Sequence, residues 1–261
     1  MSSHQQIPSA VTIAGSDSGG GAGIQADLKT FAALNIHGTS VLTCLTAQNP
    51  RRVIGIEPCS PFIVRQQLKA VFEELRPVAA KTGMLYSSEM IHLVASFLRR
   101  HPLALVVDPV MVATSGARLL KREAIAALCK ELLPQAAVIT PNLAEAELLT
   151  KMRLNSPEDL RHAARQLHQQ FQCAALVKGG HLRGLKQAVD IFYDGKQELM
   201  LTAPFVKGLK THGTGCTYSA AITAYLARGL SLPTAVCKAK QFITQAILNY
   251  QTTSGHPLLR Q

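Results

Sequence analysis

Short apolar runs, each followed by polar residues or glycine, alternate with stretches of helical spacing along most of this chain. Five of the runs end in Thr46-Ala47-Gln48-Asn49, Lys81-Thr82-Gly83, Asp108-Pro109, Thr140-Pro141-Asn142 and Lys178-Gly179-Gly180. Regular alternation of strand and helix predicts a parallel sheet with helices on both faces. Because ligands bind beyond the carboxyl ends of the strands in such sheets, these polar endings predict one shared site.

The alternation divides the chain into a regular series of elements. Predicted strands cover residues 11–14, 39–45, 78–80, 103–107, 137–139 and 174–177, and predicted helices cover 24–34, 62–75, 88–100, 123–132, 157–171 and 233–250. A hairpin is predicted around Asp194-Gly195. The fold class is therefore α/β, with three layers and a mostly parallel central sheet. A length of 261 residues without linker or repeat predicts one domain, 1–261, with flexible ends at 1–9 and 252–261.

Composition argues against several classes of partner. The net charge is +11, but Lys and Arg are scattered and Trp is absent, so we expect no nucleic-acid partner. The six cysteines form no CxxC pair and lack the histidine spacing of a zinc site, which predicts a reduced intracellular protein. No secretory h-region and no apolar run of about 18 residues occurs, so we expect a cytoplasmic protein without a membrane partner.

The stretch from Lys210 to Ala221 contains His-Gly-Thr-Gly-Cys and precedes a helical segment that ends at Gly229. It predicts a loop that enters a helix N-terminus. Glycines permit close backbone approach, and the free amides of the first helical turn attract a phosphate or a developing anion. Cys216 lies in that field, so we expect its thiol to ionise more easily than a free one and to act as acid/base or nucleophile. The alternative is a small residue that fills space under the turn.

A glycine-rich loop, residues 15–23, follows the first predicted strand. It contains Gly21-x-Gly23-x-x-Ala26, a formal match to the dinucleotide-binding fingerprint. That fingerprint needs an acidic residue about 20 positions later, and no Asp or Glu occurs between Asp27 and Glu57. A P-loop is excluded as well, because no Gly-Lys-Ser/Thr follows. The loop therefore predicts a backbone close to a ligand without naming that ligand.

Taken together, seven blocks closely resemble the hydroxymethylpyrimidine/phosphomethylpyrimidine kinases of the ribokinase superfamily. The blocks are 14–27, 46–49, 81–85, 108–111, 140–147, 178–181 and 212–217, and the resemblance runs from about Val11 to about Ile247. It implies a ribokinase-like fold and a role in thiamin biosynthesis. The implied reaction is ATP-dependent phosphorylation of 4-amino-5-hydroxymethyl-2-methylpyrimidine and then of its monophosphate. Pyridoxal kinases of the same superfamily, and a non-catalytic pyrimidine or nucleotide sensor, are the alternatives.

Residue roles follow from that resemblance together with side-chain chemistry. The loop amides around Gly213 and Gly215 are expected to stabilise the transferred phosphoryl group, and Cys216 is the nearest group that can accept the proton of the alcohol. Gln48 offers a donor and an acceptor side by side, which match the ring nitrogen and exocyclic amine of a 4-aminopyrimidine; a turn residue is the alternative. The other expected substrate contacts are Gly15, Asp27, Met84 and Val110. Asp27 has a helix-dipole role, and Met84 a core position, as alternatives.

The nucleotide is expected as ATP with Mg²⁺. The expected nucleotide contacts are Asn142, Lys178, Thr211 and Thr214, and the expected metal ligands are Asp108, acting through water, and Glu145. Asn142-x-x-Glu145 is equally the pattern of a helix capping box. Thr114 stands where the family usually has lysine. The family commonly has a serine among the three positions that Gly19-Gly20-Gly21 occupies here. Dimers are frequent in the resembled family, so a homodimer stays open.

Overall fold

The computed structural model describes residues 7–111, 120–180, 182, 184–206 and 212–261. The strands are β1 Ser9–Asp17, β2 His37–Asn49, β3 Arg52–Pro58, β4 Ala79–Thr82, β5 Ala104–Val107, β6 Val138–Ile139, β7 Ala174–Lys178, β8 Gln187–Tyr193, β9 Glu198–Pro204, β10 Gln251–Thr253 and β11 His256–Leu258. The helices are α1 Gly23–Ala33, α2 Pro61–Glu74, α3 Ser88–Arg99, α4 Arg122–Ala127, α5 Leu143–Thr150, α6 Pro157–Phe171, α7 Thr214–Ala227 and α8 Leu232–Leu248. Within these ranges, no helix combines the length and apolar character that crossing a membrane requires.

Nine strands form the central sheet, in the order β3-β2-β1-β4-β5-β6-β7-β8-β9. The six strands from β2 to β7 in that order run parallel, and β3, β8 and β9 pair antiparallel at the two edges. The prediction of a mostly parallel sheet is therefore confirmed. The predicted hairpin at Asp194-Gly195 joins β8 to β9, where Gly195 adopts a left-handed φ of +88°.

Helices cover both faces of the sheet, which gives the predicted three layers. Side chains of α2 to α6 pack with one face of the sheet, and side chains of α1, α7 and α8 pack with the other. The sequence places Ile222, Tyr225 and Leu226 of the α7 segment on one helical face, which predicts a single apolar face. In the structure α7 is buried on nearly every side, because Ser219, Ala220 and Ala224 are small enough to let its neighbours approach. This central helix is the one that the Gly-Thr-Gly-Cys stretch begins.

Two differences from the predicted elements affect the site. We expected a polar strand end at residues 46–49, but β2 continues to Asn49 and pairs with β3, which carried too little apolar alternation to be predicted. The predicted helix 123–132 is regular only to Ala127 and continues as a π-helical turn over Leu128–Leu132. The extension of β2 to Asn49 holds Gln48 on an extended strand rather than on a loop.

The C-terminal residues were expected to be a flexible end, and the structure shows ordered contacts there. β10 and β11 form an antiparallel hairpin. The side-chain amide of Gln261 donates to Oγ1 of Thr217, at 2.8 Å, and to the backbone carbonyl of Ala26, at 3.4 Å. These bonds attach the last residue to α1 and α7, the two helices whose N-termini border the site.

Candidate active site

Three lysine–aspartate pairs lie on the face of the sheet that α1, α7 and α8 cover. Lys81 pairs with Asp27 at 2.8 Å, Lys178 with Asp108 at 3.2 Å, and Lys240 with Asp190 at 2.6 Å. Lys81, Asp108 and Lys178 occupy or directly follow the carboxyl ends of β4, β5 and β7. The predicted gathering of polar strand ends is therefore real, and opposite charges alternate along it.

The glycine-rich loop is organised by Asp17, a residue that we did not single out from the sequence. Its Oδ1 accepts from the amide of Gly19 at 2.8 Å, and its Oδ2 accepts from the amides of Gly21 at 3.1 Å and Ala22 at 2.8 Å. Burial alone acts to raise the pKa of Asp17, but the His212 side chain and these amides outweigh burial and lower it. The carboxylate therefore stays charged and holds the loop against the end of β1.

His212 connects the glycine-rich loop to the end of β2 across the site. Its Nε2 lies 3.1 Å from Oδ2 of Asp17 and 2.8 Å from the side-chain amide of Gln48. Nε2 donates to the carboxylate in one tautomer and accepts from the amide in the other. The predicted substrate reader Gln48, half-buried at the end of β2, is thus connected to the residue directly before Gly213.

Gly213 is the N-cap of α7 and has a left-handed φ of +83°. A Cβ at this position would collide with the backbone carbonyl of Gly21, so the two glycine loops touch backbone to backbone. A Cβ on Gly215 would approach Nζ of Lys178, at 3.3 Å, and Oδ2 of Asp108, at 3.7 Å. Gly213 therefore lies where only a residue without a side chain fits, whereas a methyl group on Gly215 would only press on the flexible end of the Lys178 side chain.

Cys216 is half-buried in the first turn of α7, and the backbone amide of Gly23, the first residue of α1, acts to lower the pKa of its thiol. Burial raises the pKa of the thiol to about 11, although Lys81 acts to lower it; Asp27 and Asp108 raise it further. The expectation that this thiol ionises more easily than a free one is therefore wrong. Two helix N-termini are too weak to offset the loss of water around the sulfur.

Asp27 was predicted to contact the substrate, and the structure corrects that prediction. Its carboxylate is fully buried, accepts from Nζ of Lys81 at 2.8 and 2.9 Å, and accepts from Oγ1 of Thr12 at 2.6 Å. Burial alone would lower the pKa of Lys81, but the charge of Asp27 raises it above its ordinary value. The pair is an internal charge pair close to Cys216, with no surface left for a ligand.

The remaining predicted substrate residues lie at the ends of β1, β4 and β5. Gly15 is buried, and a Cβ there would lie 2.7 Å from Sγ of Cys44 and 3.3 Å from Cε of Met84. Val110 is half-buried and has a φ of +43°, a left-handed conformation that a β-branched residue rarely adopts. Such strain concentrates at functional sites. Gly15 and Met84 thus lie in contact with each other, as their predicted shared role requires.

Asn142 and Glu145 form the capping box of α5 that was one of their two predicted roles. The Asn142 side chain accepts from the Glu145 amide at 3.0 Å, and Glu145 accepts from the amides of Asn142 and Met111, both at 2.9 Å. Burial, followed by the charge of Asp108, raises the pKa of Glu145 to about 7. Glu145 is 1% exposed and serves the capping box, so its role as a metal ligand stays a prediction. The half-buried Asn142 forms an isolated parallel β-bridge with Lys178.

Asp108 is the carboxylate that fits a magnesium site. Its Oδ1 accepts from Nζ of Lys178 and its Oδ2 from Oγ of Ser219, both at 3.2 Å. The buried hydroxyl of Thr140, at the end of the neighbouring strand β6, has no hydrogen-bond partner among the described residues. The described part of the chain contains no cluster of three or more His, Cys, Asp or Glu that could hold a metal by itself. This donor set fits Mg²⁺ that takes most of its ligands from phosphate and water.

Thr214 is half-buried and is the first residue of α7. The predicted nucleotide contact Thr211 lies outside the described residues, as do Thr114 and His181. Sequence reasoning missed Asp17, Lys81 and Ser219 as individual residues, although Asp17 and Lys81 lie inside the resembling blocks and Ser219 lies inside the stretch from Lys210 to Ala221. An Asp two to five positions before a run of glycines and alanine is the signal that could have identified Asp17 as the holder of their amides.

Comparisons with known proteins identify one family by sequence and a similar kinase by structure. The family model described as phosphomethylpyrimidine kinase matches residues 17–258. A hydroxymethylpyrimidine/phosphomethylpyrimidine kinase of Rhizobium meliloti is 51% identical over 239 residues, which cover 91% of this chain and 90% of the relative. A thiamine biosynthesis bifunctional protein of Geobacter sulfurreducens is 48% identical over 92% of this chain, which corresponds to 49% of that longer protein. Among solved structures, an ADP complex of Bacillus subtilis pyridoxal kinase has a TM-score of 0.91 at 38% identity, covering 98% of this chain and 97% of that one.

Proposed function

The chain belongs to the phosphomethylpyrimidine kinase family, and from that premise we propose that it transfers phosphate from ATP to 4-amino-5-hydroxymethyl-2-methylpyrimidine and then to the monophosphate. The observation that carries the proposal is the position of the α7 N-terminus. Gln48 and His212 lie near Gly213 through the Gly21 backbone, and Lys178 and Asp108 lie near Gly215. An acceptor held by Gln48 and a nucleotide held by Lys178 would therefore meet at Gly213, Gly215 and Cys216.

Each group has a defined task in this reaction. Gln48 turns its amide from His212 to the pyrimidine edge, and Gly15, Met84 and Val110 exclude water around the ring. The first-turn amides of α7 and the Lys178 ammonium stabilise the charge of the transferred phosphoryl group. When bound, Mg²⁺ would neutralise phosphate charge, and Asp108 would hold it through water. These residues provide the positioning and electrostatic stabilisation on which phosphoryl transfer depends.

Cys216 accepts the proton of the alcohol late in the reaction. A thiol with a pKa of about 11 is protonated at neutral pH, so only a small fraction of the resting enzyme carries the thiolate. Only the thiolate can accept the proton of the alcohol, so the active enzyme is the small fraction in which the thiol proton has already left to solvent. The loose transition state of phosphoryl transfer needs little nucleophile activation and tolerates this small fraction. The nearby Lys81 ammonium favours that negative sulfur.

The deciding experiment is ADP release with three acceptors at equal concentration: the pyrimidine alcohol, its monophosphate and pyridoxal. We expect ADP with the alcohol and with its monophosphate, and loss of both activities when a chelator removes Mg²⁺. Release of ADP with pyridoxal alone would identify the chain as a vitamin B6 kinase. The similarity to a pyridoxal kinase structure is the observation that motivates this alternative. Tight binding without turnover would instead identify a sensor. A homodimer and a cytoplasmic location stay predictions, the first of which light scattering tests.

A further inference from the structure

Asp190 and Lys240 form a charge pair that the proposed reaction does not use. Asp190 lies in β8 and is 3% exposed, and Lys240 lies in α8 and is 8% exposed. Nζ of Lys240 donates to Oδ2 of Asp190 at 2.6 Å. Burying two charges costs desolvation energy, and an apolar pair of similar volume generally stabilises a core at least as well. The pair therefore needs an explanation other than stability.

The second oxygen of Asp190 provides that explanation. Oδ1 accepts from the backbone amide of Gly179 at 3.1 Å. Gly179 directly follows Lys178, which is the residue paired across the β7–β8 ladder with Asp190 itself. Lys178 in turn reaches Asp108 at 3.2 Å. The Asp190 carboxylate thus connects the buried Lys240 to the turn that begins at Lys178, the lysine expected to contact the nucleotide.

The turn at Gly179 has very little freedom. A Cβ on Gly179 would collide with Leu160 and with the backbone carbonyl of Val189, so the backbone lies directly against β8 and α6. The carbonyl of Gly179 accepts from the amide of Leu182 at 2.9 Å, and the amide of Lys178 donates to the carbonyl of Pro141 at 2.9 Å. Within this frame Asp190 is the acceptor for the Gly179 amide, and a carboxylate without Lys240 would be an unpaired buried charge.

We propose that Asp190, held in place by Lys240, is a positioning residue for the nucleotide: it orients the Lys178-Gly179 turn so that the Lys178 ammonium meets the phosphate chain. This inference rests on the proposed function, because it assigns a partner to a group of the same site. An apolar pair could fill the same volume, but it could not accept from the Gly179 amide. The carboxylate is retained for that hydrogen bond, and the lysine is retained to neutralise the carboxylate.

Two double variants of the full chain separate positioning from simple packing. Asp190→Leu/Lys240→Met removes the charges and the acceptor, whereas Asp190→Asn/Lys240→Met removes the charges but keeps an oxygen for the Gly179 amide. We expect the KM for ATP to rise roughly tenfold in the first variant, as for loss of one buried hydrogen bond, with the KM for the pyrimidine unchanged. In the second variant the KM for ATP should stay within about threefold of wild type.

Calorimetric titration with Mg-ADP, together with thermal unfolding, supplies the controls. Binding of Mg-ADP should weaken in the Leu/Met variant and be restored in the Asn/Met variant, whatever the two melting temperatures are. Equal nucleotide affinity in both variants, whether retained or lost, would overturn the inference, because it would reduce the pair to a packing or stability element. Failure of the proposed function is visible separately, since the wild-type protein would then bind no Mg-ADP or turn over no pyrimidine.

Discussion

The side-chain amide of Gln48 lies 2.8 Å from Nε2 of His212, a residue 164 positions further along the chain. The same ring nitrogen lies 3.1 Å from Asp17, so it can serve only one of these two neighbours well in any one protonation state. In the proposed reaction, a pyrimidine bound to Gln48 would take the amide away from His212, and the histidine would then be free to donate to Asp17. We therefore expect occupation of the acceptor side to strengthen the contact that holds the glycine loop against α7.

Gln48→Ala should raise the KM for the pyrimidine alcohol about tenfold or more, because the substrate loses paired hydrogen bonds. The KM for ATP should stay the same, since Gln48 lies on the acceptor side. Gln67→Ala is the matched control: Gln67 bonds the backbone of Leu42 at 2.9 and 3.2 Å, away from the site. Steady-state kinetics with each substrate varied in turn checks this. A change in both KM values would contradict the assigned role of Gln48.

Cys216→Ala should lower kcat by about 10²–10⁴-fold with little effect on either KM, as for loss of a general base. The raised pKa adds a pH signature. The thiol has a pKa of about 11, so at any pH below 11 its ionised fraction increases about tenfold for each unit by which the pH is raised. The kcat/KM of the wild type should therefore still be rising from pH 7 to 9, whereas that of Cys216→Ala should be flat. Parallel profiles would show that the thiol only fills space.

Gly213→Ala should abolish turnover and destabilise the fold by about 2 kcal/mol or more, because the left-handed φ and the Gly21 carbonyl both reject a Cβ. Gly229→Ala is a matched control at the other end of α7. It has a similar φ of +80°, but nothing lies within 4 Å of its Cβ position. It should cost only the conformational strain, about 1 kcal/mol, and leave kcat intact. Urea unfolding and ADP release measure the two effects.

Glu145 should make stability depend on pH in the neutral range. Its folded pKa of about 7 lies above the ordinary value of 4.5, so folding favours the protonated form. Its contribution is therefore fully present below about pH 4.5 and is lost as the pH rises through about 7. Glu145→Gln should flatten this part of the profile, although it gives up one amide contact of the capping box. Urea unfolding at pH 5, 6, 7 and 8 is the measurement, and identical slopes for the two proteins would count against the shift.

Much of the fold could be predicted because its signals are local. Apolar runs of strand length, helical spacing between them and turn residues such as Asp194-Gly195 lie close together in sequence. We did not predict β3 or the C-terminal hairpin. Their side chains are largely exposed, so no apolar alternation marks them in the sequence. The extension of β2 to Asn49 depends on β3 as a partner, and no pattern within 46–49 contains that information.

The candidate site shows the same division. The order of the chain determined that polar strand ends would share one edge of a parallel sheet and that the Gly-Thr-Gly-Cys stretch would begin a helix. Only the tertiary structure decided the partners: His212 with Asp17, Lys81 with Asp27, and Asp190 with both Lys240 and Gly179. It also reversed the expected acidity of Cys216. Hydrogen-bond partners and loss of solvent depend on residues far apart in the chain, and a local pattern carries neither.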